Sequence, residues 1–175
     1  PQGTNEPLLY QNLEDHIKFA KKHGFIDIMM NTNATLLSEE RSKKILESGL
    51  TRLRFSLDAA TKETFEKIRI GADYDSVMKN IERCVELRDQ EGYKLPVIGV
   101  NFVKMKVNEH ETEEFIEKWK DGYDVVYGVR IKRKGSWILN FFYSIFYWIL
   151  NKTADVHIPI NSGEFGVMSK KVAET

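Results

Sequence analysis

A chain of 175 residues can build one sizeable hydrophobic core or part of a larger domain. Its 26 basic residues equal its 26 acidic ones, so the charge balance gives no reason to expect nucleic acid or another long polyanion. The single cysteine, Cys84, excludes a disulfide framework and any cysteine-built metal site in these residues, and suits a reducing, cytoplasmic compartment.

The opening Pro1-Gln2-Gly3-Thr4 has no signal-peptide pattern and reads as the interior of a longer chain. Leu13, Ile17 and Ala20 then recur at helical spacing, and Gly24 after Lys21-Lys22 is a helix stop. Phe25 to Met30 reads as a strand ending in the polar cluster Asn31-Thr32-Asn33. Ser38 is an N-cap for a helix that turns Ile45 and Leu46 inward and ends at Gly49.

Leu53 to Ala59 is the central strand, followed by a helix with Thr61 as N-cap and Glu63 in its first turn. Ser56 and Asp58 are two apart, so strand alternation puts both on one side of its C-terminal end. Ligands bind at that end in α/β folds. A plainer reading stays open, in which Ser56 caps locally and Asp58 fixes the turn.

Asp73 and Asp75 flank Tyr74, where helix capping explains them. The long helix after them runs through Arg88 with Val77, Ile81, Cys84, Val85 and Leu87 inward, and Gly92 stops it. Pro96 opens a third strand, Val97 to Val103. Asn108 is read as the cap of a further helix, with Glu111 as its capping-box partner and Phe115, Ile116 and Trp119 inside. Tyr123 to Val129 is a fourth strand. Alternating strands and helices with short connections mean a parallel sheet with right-handed crossovers, open or barrel-like.

Composition changes after Val129. A basic cluster, Arg130 to Lys134, precedes an apolar run from Trp137 to Leu150 that is too short to span a bilayer comfortably. Large rings on both sides of that helix call for cover by protein or by a membrane surface through residues 130–150, and favour association into oligomers. His16, His23, His110 and His157 are scattered and read as surface residues, so no metal site is expected.

Several motifs run in order: Asn5-Glu6-Pro7-Leu8-Leu9, Asn31-Thr32-Asn33-Ala34-Thr35-Leu36-Leu37, Phe55-Ser56-Leu57-Asp58-Ala59, Phe65-Glu66-Lys67-Ile68-Arg69, Asn80-Ile81 and Val107-Asn108-Glu109. Over residues 1–119 this set resembles the radical S-adenosylmethionine enzymes, above all the peptide-modifying branch with an extra C-terminal (SPASM) cluster domain. The resemblance implies an α/β fold, a partial (β/α) barrel segment with parallel strands, here followed by an aromatic helix and a short C-terminal segment. It implies S-adenosylmethionine and a [4Fe–4S] cluster as cofactors, and hydrogen abstraction from a small-molecule or peptide substrate.

By that resemblance Glu6 faces the cofactor's amino group, Ser56 and Asp58 bond its ribose, Asn33 faces the same mouth and Arg69 approaches its carboxylate. The family's C-x3-C-x2-C thiolates precede the Glu6 loop and do not occur here, so no cluster is expected on this chain. Ala34 stands where the family usually has Gly.

Residues 120–175 resemble something else. Gly122 to Arg133, and then the loop Ile160 to Val172, are similar to a family-2 (GT-A) glycosyltransferase that transfers sugars to polyprenyl phosphate. That likeness implies an acidic role for Glu164 near the transfer centre and puts Gly166 where the family has Arg. The nucleotide-binding half and the Asp-x-Asp metal motif are absent from these residues. The chain thus reads as two joined segments, and a non-catalytic hybrid scaffold is the third reading.

Overall fold

The computed structural model describes residues 5–120, 124–130 and 164–168. Helices and four parallel strands alternate along the chain. They comprise α1 (Leu13–Lys22), β1 (Met29–Thr32), α2 (Glu39–Leu46), β2 (Arg52–Ser56), α3 (Lys62–Ile68), α4 (Tyr74–Gln90), β3 (Val97–Lys104), α5 (Thr112–Trp119) and β4 (Val125–Arg130). A last strand, β5, covers Glu164–Met168. The sheet order is β1-β2-β3-β4-β5. β1 to β4 run parallel, and β5 returns antiparallel to β4.

The helix starts follow their caps. Ser38, Thr61 and Asp73 each accept a hydrogen bond from the backbone N–H three residues on. At Gly49, φ is +87°, and an added Cβ would meet Lys21 Cγ at 3.0 Å, so both backbone and space favour glycine at that turn.

Strand register sorts the sheet into two unlike faces. Met30, Leu53, Phe55, Ile98, Val100 and Phe102 share one face and are buried in a single cluster with Ile17, Ile45, Ile81 and Phe115 from the helices. The opposite face carries Asn31, Arg54, Ser56, Gly99 and Asn101. Helices on one face and polar groups on the other distinguish a partial barrel from a doubly wound sheet. The sequence alone left that choice open.

Several local expectations are corrected. β1 starts at Met29, not Phe25; Phe25 and Ile26 are exposed, and Asp27 is taken by Thr51 and Arg52. On α4 the inward stripe runs through Val77, Ile81, Cys84 and Arg88, while Leu87 is half-buried beside it. The Arg88 guanidinium is neutralised there by Asp124, at 2.6 Å. Burial opposes that charge, but Asp89 and Asp124 outweigh it and raise the Arg88 pKa. Asn108 makes no cap hydrogen bond. Residues Glu164–Met168 form a strand rather than a loop, because they pair with β4. The basic cluster beyond Arg130 and the aromatic helix lie outside the described residues. No helix among the described residues is long and apolar enough to cross a membrane.

Glu111 is the long-range tie of this fold. Its carboxylate accepts from the Ala60 and Thr61 N–H groups and from the Thr61 and Thr64 hydroxyls. It therefore caps α3 from fifty residues away in sequence. Burial pushes its pKa up, but those bonds outweigh burial and hold it below the ordinary 4.5. Glu111→Ala should cost about 2–3 kcal/mol in urea titration, because it strands several donors. The sign with pH follows from the lowered folded value. The contribution is whole above the ordinary carboxylate range and fades as acid protonates Glu111, so the variant should show a flatter acid limb of stability.

Candidate functional site

The C-terminal ends of β1, β2 and β3 lie side by side, and the predicted residues gather there. Glu6 precedes the short helix Pro7–Leu9 and caps it by accepting from Leu8 N–H at 3.1 Å. The same carboxylate reaches the end of β1. Thr32 Oγ1 donates to its Oε1 at 2.6 Å and Asn33 N–H to its Oε2 at 2.8 Å. A carboxylate offers about four lone-pair positions, and these bonds use three, so Oε2 retains capacity for another donor.

Asn33 closes a local turn, its Oδ1 accepting from the N–H and hydroxyl of Thr35. Ala34 follows with φ +60°, a left-handed residue where the side chain is a methyl. Its N–H is bonded by Thr32 Oγ1 and its carbonyl accepts from Asn80 Nδ2 at 3.0 Å. Those ties hold the strained residue in place. Asn33, Thr35, Arg69 and Gly71 line one cleft of about 270 Å³. A larger groove of about 570 Å³ lies between α4 and α5 on the helical side, and no predicted site residue lines it.

β2 ends at Ser56, so strand alternation does not extend to Asp58. Asp58 instead has φ +62°. Its Oδ1 accepts from Val103 N–H at 2.7 Å, and its Oδ2 from the Arg69 guanidinium at 2.5 Å. Its side chain is 7% exposed and that of Arg69 is 30% exposed. Asp58 is therefore an anchor that holds Arg69 against the cleft. The register partner of Ser56 on the polar face is Asn101. Sequence reasoning missed Asn101; its signal was a lone carboxamide at the alternation position in Val97-Ile98-Gly99-Val100-Asn101.

One further group completes the mouth, and the lone cysteine lies away from it. Asn108 Nδ2 donates to the carbonyls of Asp58 and Val103, and its Oδ1 accepts from Met105 N–H. Cys84 sits on the buried stripe of α4, where burial pushes its thiol up to about 11. An iron–sulfur cluster takes thiolates, so Cys84 does not suit one. Among the described residues no His, Cys, Asp or Glu group could hold a metal ion.

Carboxylate, carboxamide and guanidinium groups thus gather at the strand ends of a partial barrel. The chain belongs to the radical SAM superfamily, whose profile matches residues 2–119. Members of that family use S-adenosylmethionine and a [4Fe–4S] cluster. A probable GTP 3′,8-cyclase of Methanococcus maripaludis is 36% identical over 100 residues, covering 57% of this chain and 31% of that protein. An uncharacterized glycosyltransferase, YkcC of Bacillus subtilis, is 48% identical over 65 residues, covering 35% of this chain and 19% of that protein. The chain thus spans under a third of these curated relatives. Among solved structures, TYW1 with a lysine–pyruvate adduct bound superposes with a TM-score of 0.59 over 97% of this chain and 56% of that one. At 14% identity that likeness is one of fold.

Two measurements test the mouth. Asp58→Asn tolerates the left-handed backbone but removes the charge facing Arg69, so it should lower stability by about 2 kcal/mol in denaturant unfolding. Ala34→Gly should raise the melting temperature, because the relieved strain of about 1–2 kcal/mol exceeds the added unfolded-state entropy of about 0.4–1 kcal/mol.

Proposed function

We infer that this chain is the cofactor-gripping part of a radical S-adenosylmethionine enzyme that abstracts hydrogen from a small molecule or peptide. The observation that carries the reading is the linked set at the sheet's C-terminal edge. Glu6 bonds Asn33 at 2.8 Å, Asn33 and Arg69 line one cleft, and Arg69 is held by Asp58.

The chemistry of each group suits one end of the cofactor. Glu6 Oε2 accepts the α-ammonium. Arg69 presents a fixed cation to the α-carboxylate, and its Nε is buried without a hydrogen-bond partner. Ser56, half-buried at the end of β2, offers a hydroxyl to the ribose. Asn33 shapes the cleft wall, and Asp58 positions Arg69. When bound with its cluster, S-adenosylmethionine supplies the family's hydrogen-abstracting radical. The residues of this chain do not fit the cluster, since its cysteine is a buried, protonated thiol. On that account these residues bind the nucleoside but are inactive by themselves.

A second reading is favoured by the 48% identity to YkcC. In it, residues 120–175 come from a family-2 glycosyltransferase that hands a sugar to a polyprenyl phosphate at a membrane surface, with Glu164 near the transfer centre. The chain is then a hybrid of two segments meeting near residue 120. Flotation with anionic vesicles, lost on charge reversal of Arg130 and Arg133, is the result that reading requires.

For the first reading, calorimetry should detect S-adenosylmethionine binding to the chain. Ser56→Ala should weaken it about threefold to tenfold, the worth of one hydrogen bond. Equal affinity in the variant ends the assignment. Anaerobic reconstitution with iron and sulfide should give no cluster absorbance.

A further inference from the structure

The connection from β2 to α3 is held almost group by group by one later stretch of chain. The Leu57 and Asp58 N–H groups donate to Asn101 O, and the Asp58 carbonyl accepts from Asn108 Nδ2 at 2.8 Å. Glu111 takes the Ala60 and Thr61 N–H groups, and Lys118 Nζ donates to Ala60 O at 2.9 Å. Asn108 is the most deeply buried of these ties, at 0% exposed.

Its carboxamide is fully used. Nδ2 gives one N–H to Asp58 O and the other to Val103 O, while Oδ1 accepts from Met105 N–H. Val103 N–H in turn donates to Asp58 Oδ1 at 2.7 Å. Asp58, Val103 and Asn108 thus close a hydrogen-bonded ring. With both donors spent and no surface exposed, Asn108 has nothing to offer a ligand. What it controls is the shape of Asp58. That residue has φ +62°, disfavoured for any residue with a side chain, and the ring restrains both its carbonyl and its carboxylate.

Arg69 carries that restraint to the surface. It ends α3 with a non-helical φ of −104° and ψ of 66°, so helix geometry does not direct its side chain. Asp58 Oδ2 does, at 2.5 Å. The guanidinium lines the cleft with Asn33 and is more open to solvent than Asp58. A planar guanidinium offers its donors in fixed directions, so turning Asp58 turns the donors that Arg69 presents to an anion.

We propose that Asn108 is a positioning residue: through the Asp58 carbonyl it aims the Arg69 guanidinium, and it thereby sets how strongly the cleft prefers a ligand that carries a carboxylate. The inference rests on the cofactor reading of the same cleft and adds to it a residue that touches neither cofactor nor substrate.

The test compares two probes on the full chain by calorimetry, S-adenosylmethionine and decarboxylated S-adenosylmethionine, which lacks the carboxylate. The parent should prefer the first by about tenfold or more, the worth of a hydrogen bond to a charged group. In Asn108→Ala that preference should shrink to about threefold or less, because the guanidinium is no longer aimed. A purely structural residue leaves the ratio unchanged, since partial unfolding weakens both probes by the same folded fraction. Arg69→Gln should lose the preference as well. The double variant Asn108→Ala/Arg69→Gln should lose no more of it than Arg69→Gln alone, since the two residues act in series.

A folded Asn108→Ala that keeps the parental preference overturns this proposal and leaves the cofactor reading intact. So do losses that add in the double variant, or an Arg69→Gln variant that still prefers the carboxylate. A parent that binds the two probes alike takes Arg69 off the carboxylate, and this proposal falls with it. A parent that binds neither probe overturns the cofactor reading too. If Asn108→Ala does not fold, NMR of the parent decides. S-adenosylmethionine should shift the Arg69 Nε–H and Asn108 side-chain amide signals, and the decarboxylated probe should leave them in place. An Asn108 signal indifferent to the carboxylate overturns the proposal.

Discussion

One carboxylate and its own carbonyl hold the mouth of this barrel together. Asp58 ties Val103 N–H with one oxygen and Arg69 with the other, and its backbone carbonyl accepts from Asn108. The N–H groups of Leu57 and Asp58 meanwhile donate to Asn101 O. The turns that follow β2 and β3 are thereby locked to each other. A pair so little exposed is strong evidence of geometry and weak evidence of net stability, because desolvation offsets most of the attraction. Its value here is that it gives the Arg69 guanidinium a fixed position at the cleft.

That lock works because the sheet has two unlike faces. The apolar face sits on helices and supplies the burial that stabilises the domain. The other face is then free to carry amides, a hydroxyl and a guanidinium, whose demands for partners are met or left open one by one. Orphaned acceptors at Asn31 and Asn101 are tolerable only on a scaffold whose core is already closed. Ala34 and Asp58, both with positive φ, mark where the chain bends to bring strand ends and loops to the mouth.

Membership of the radical SAM superfamily rests on residues 2–119. The βα rhythm runs on without a break into β4, which pairs with β3 in parallel register from Gly99 to Lys104. A parallel edge strand accepts any neighbour with the right alternation, because its hydrogen bonds come from the backbone.

What could be read from the residues alone was whatever depends on near neighbours. Helix caps at Ser38, Thr61 and Asp73, the βα alternation and the apolar stripes are set by spacing and by local hydrogen bonding, and they appear where the periodicity puts them. The residues proposed for the cofactor were singled out by ordered motifs, and the linkage of Glu6, Asn33, Arg69 and Asp58 emerged from folding. Asn108 and Glu111 look like a local cap and its partner, but each bonds a segment some fifty residues away. Asn101 passed for one polar residue in an apolar strand until register set it beside Ser56. Only tertiary structure decides such pairings, because a side chain satisfies its hydrogen bonds with whatever the fold brings near, and sequence distance carries no record of that.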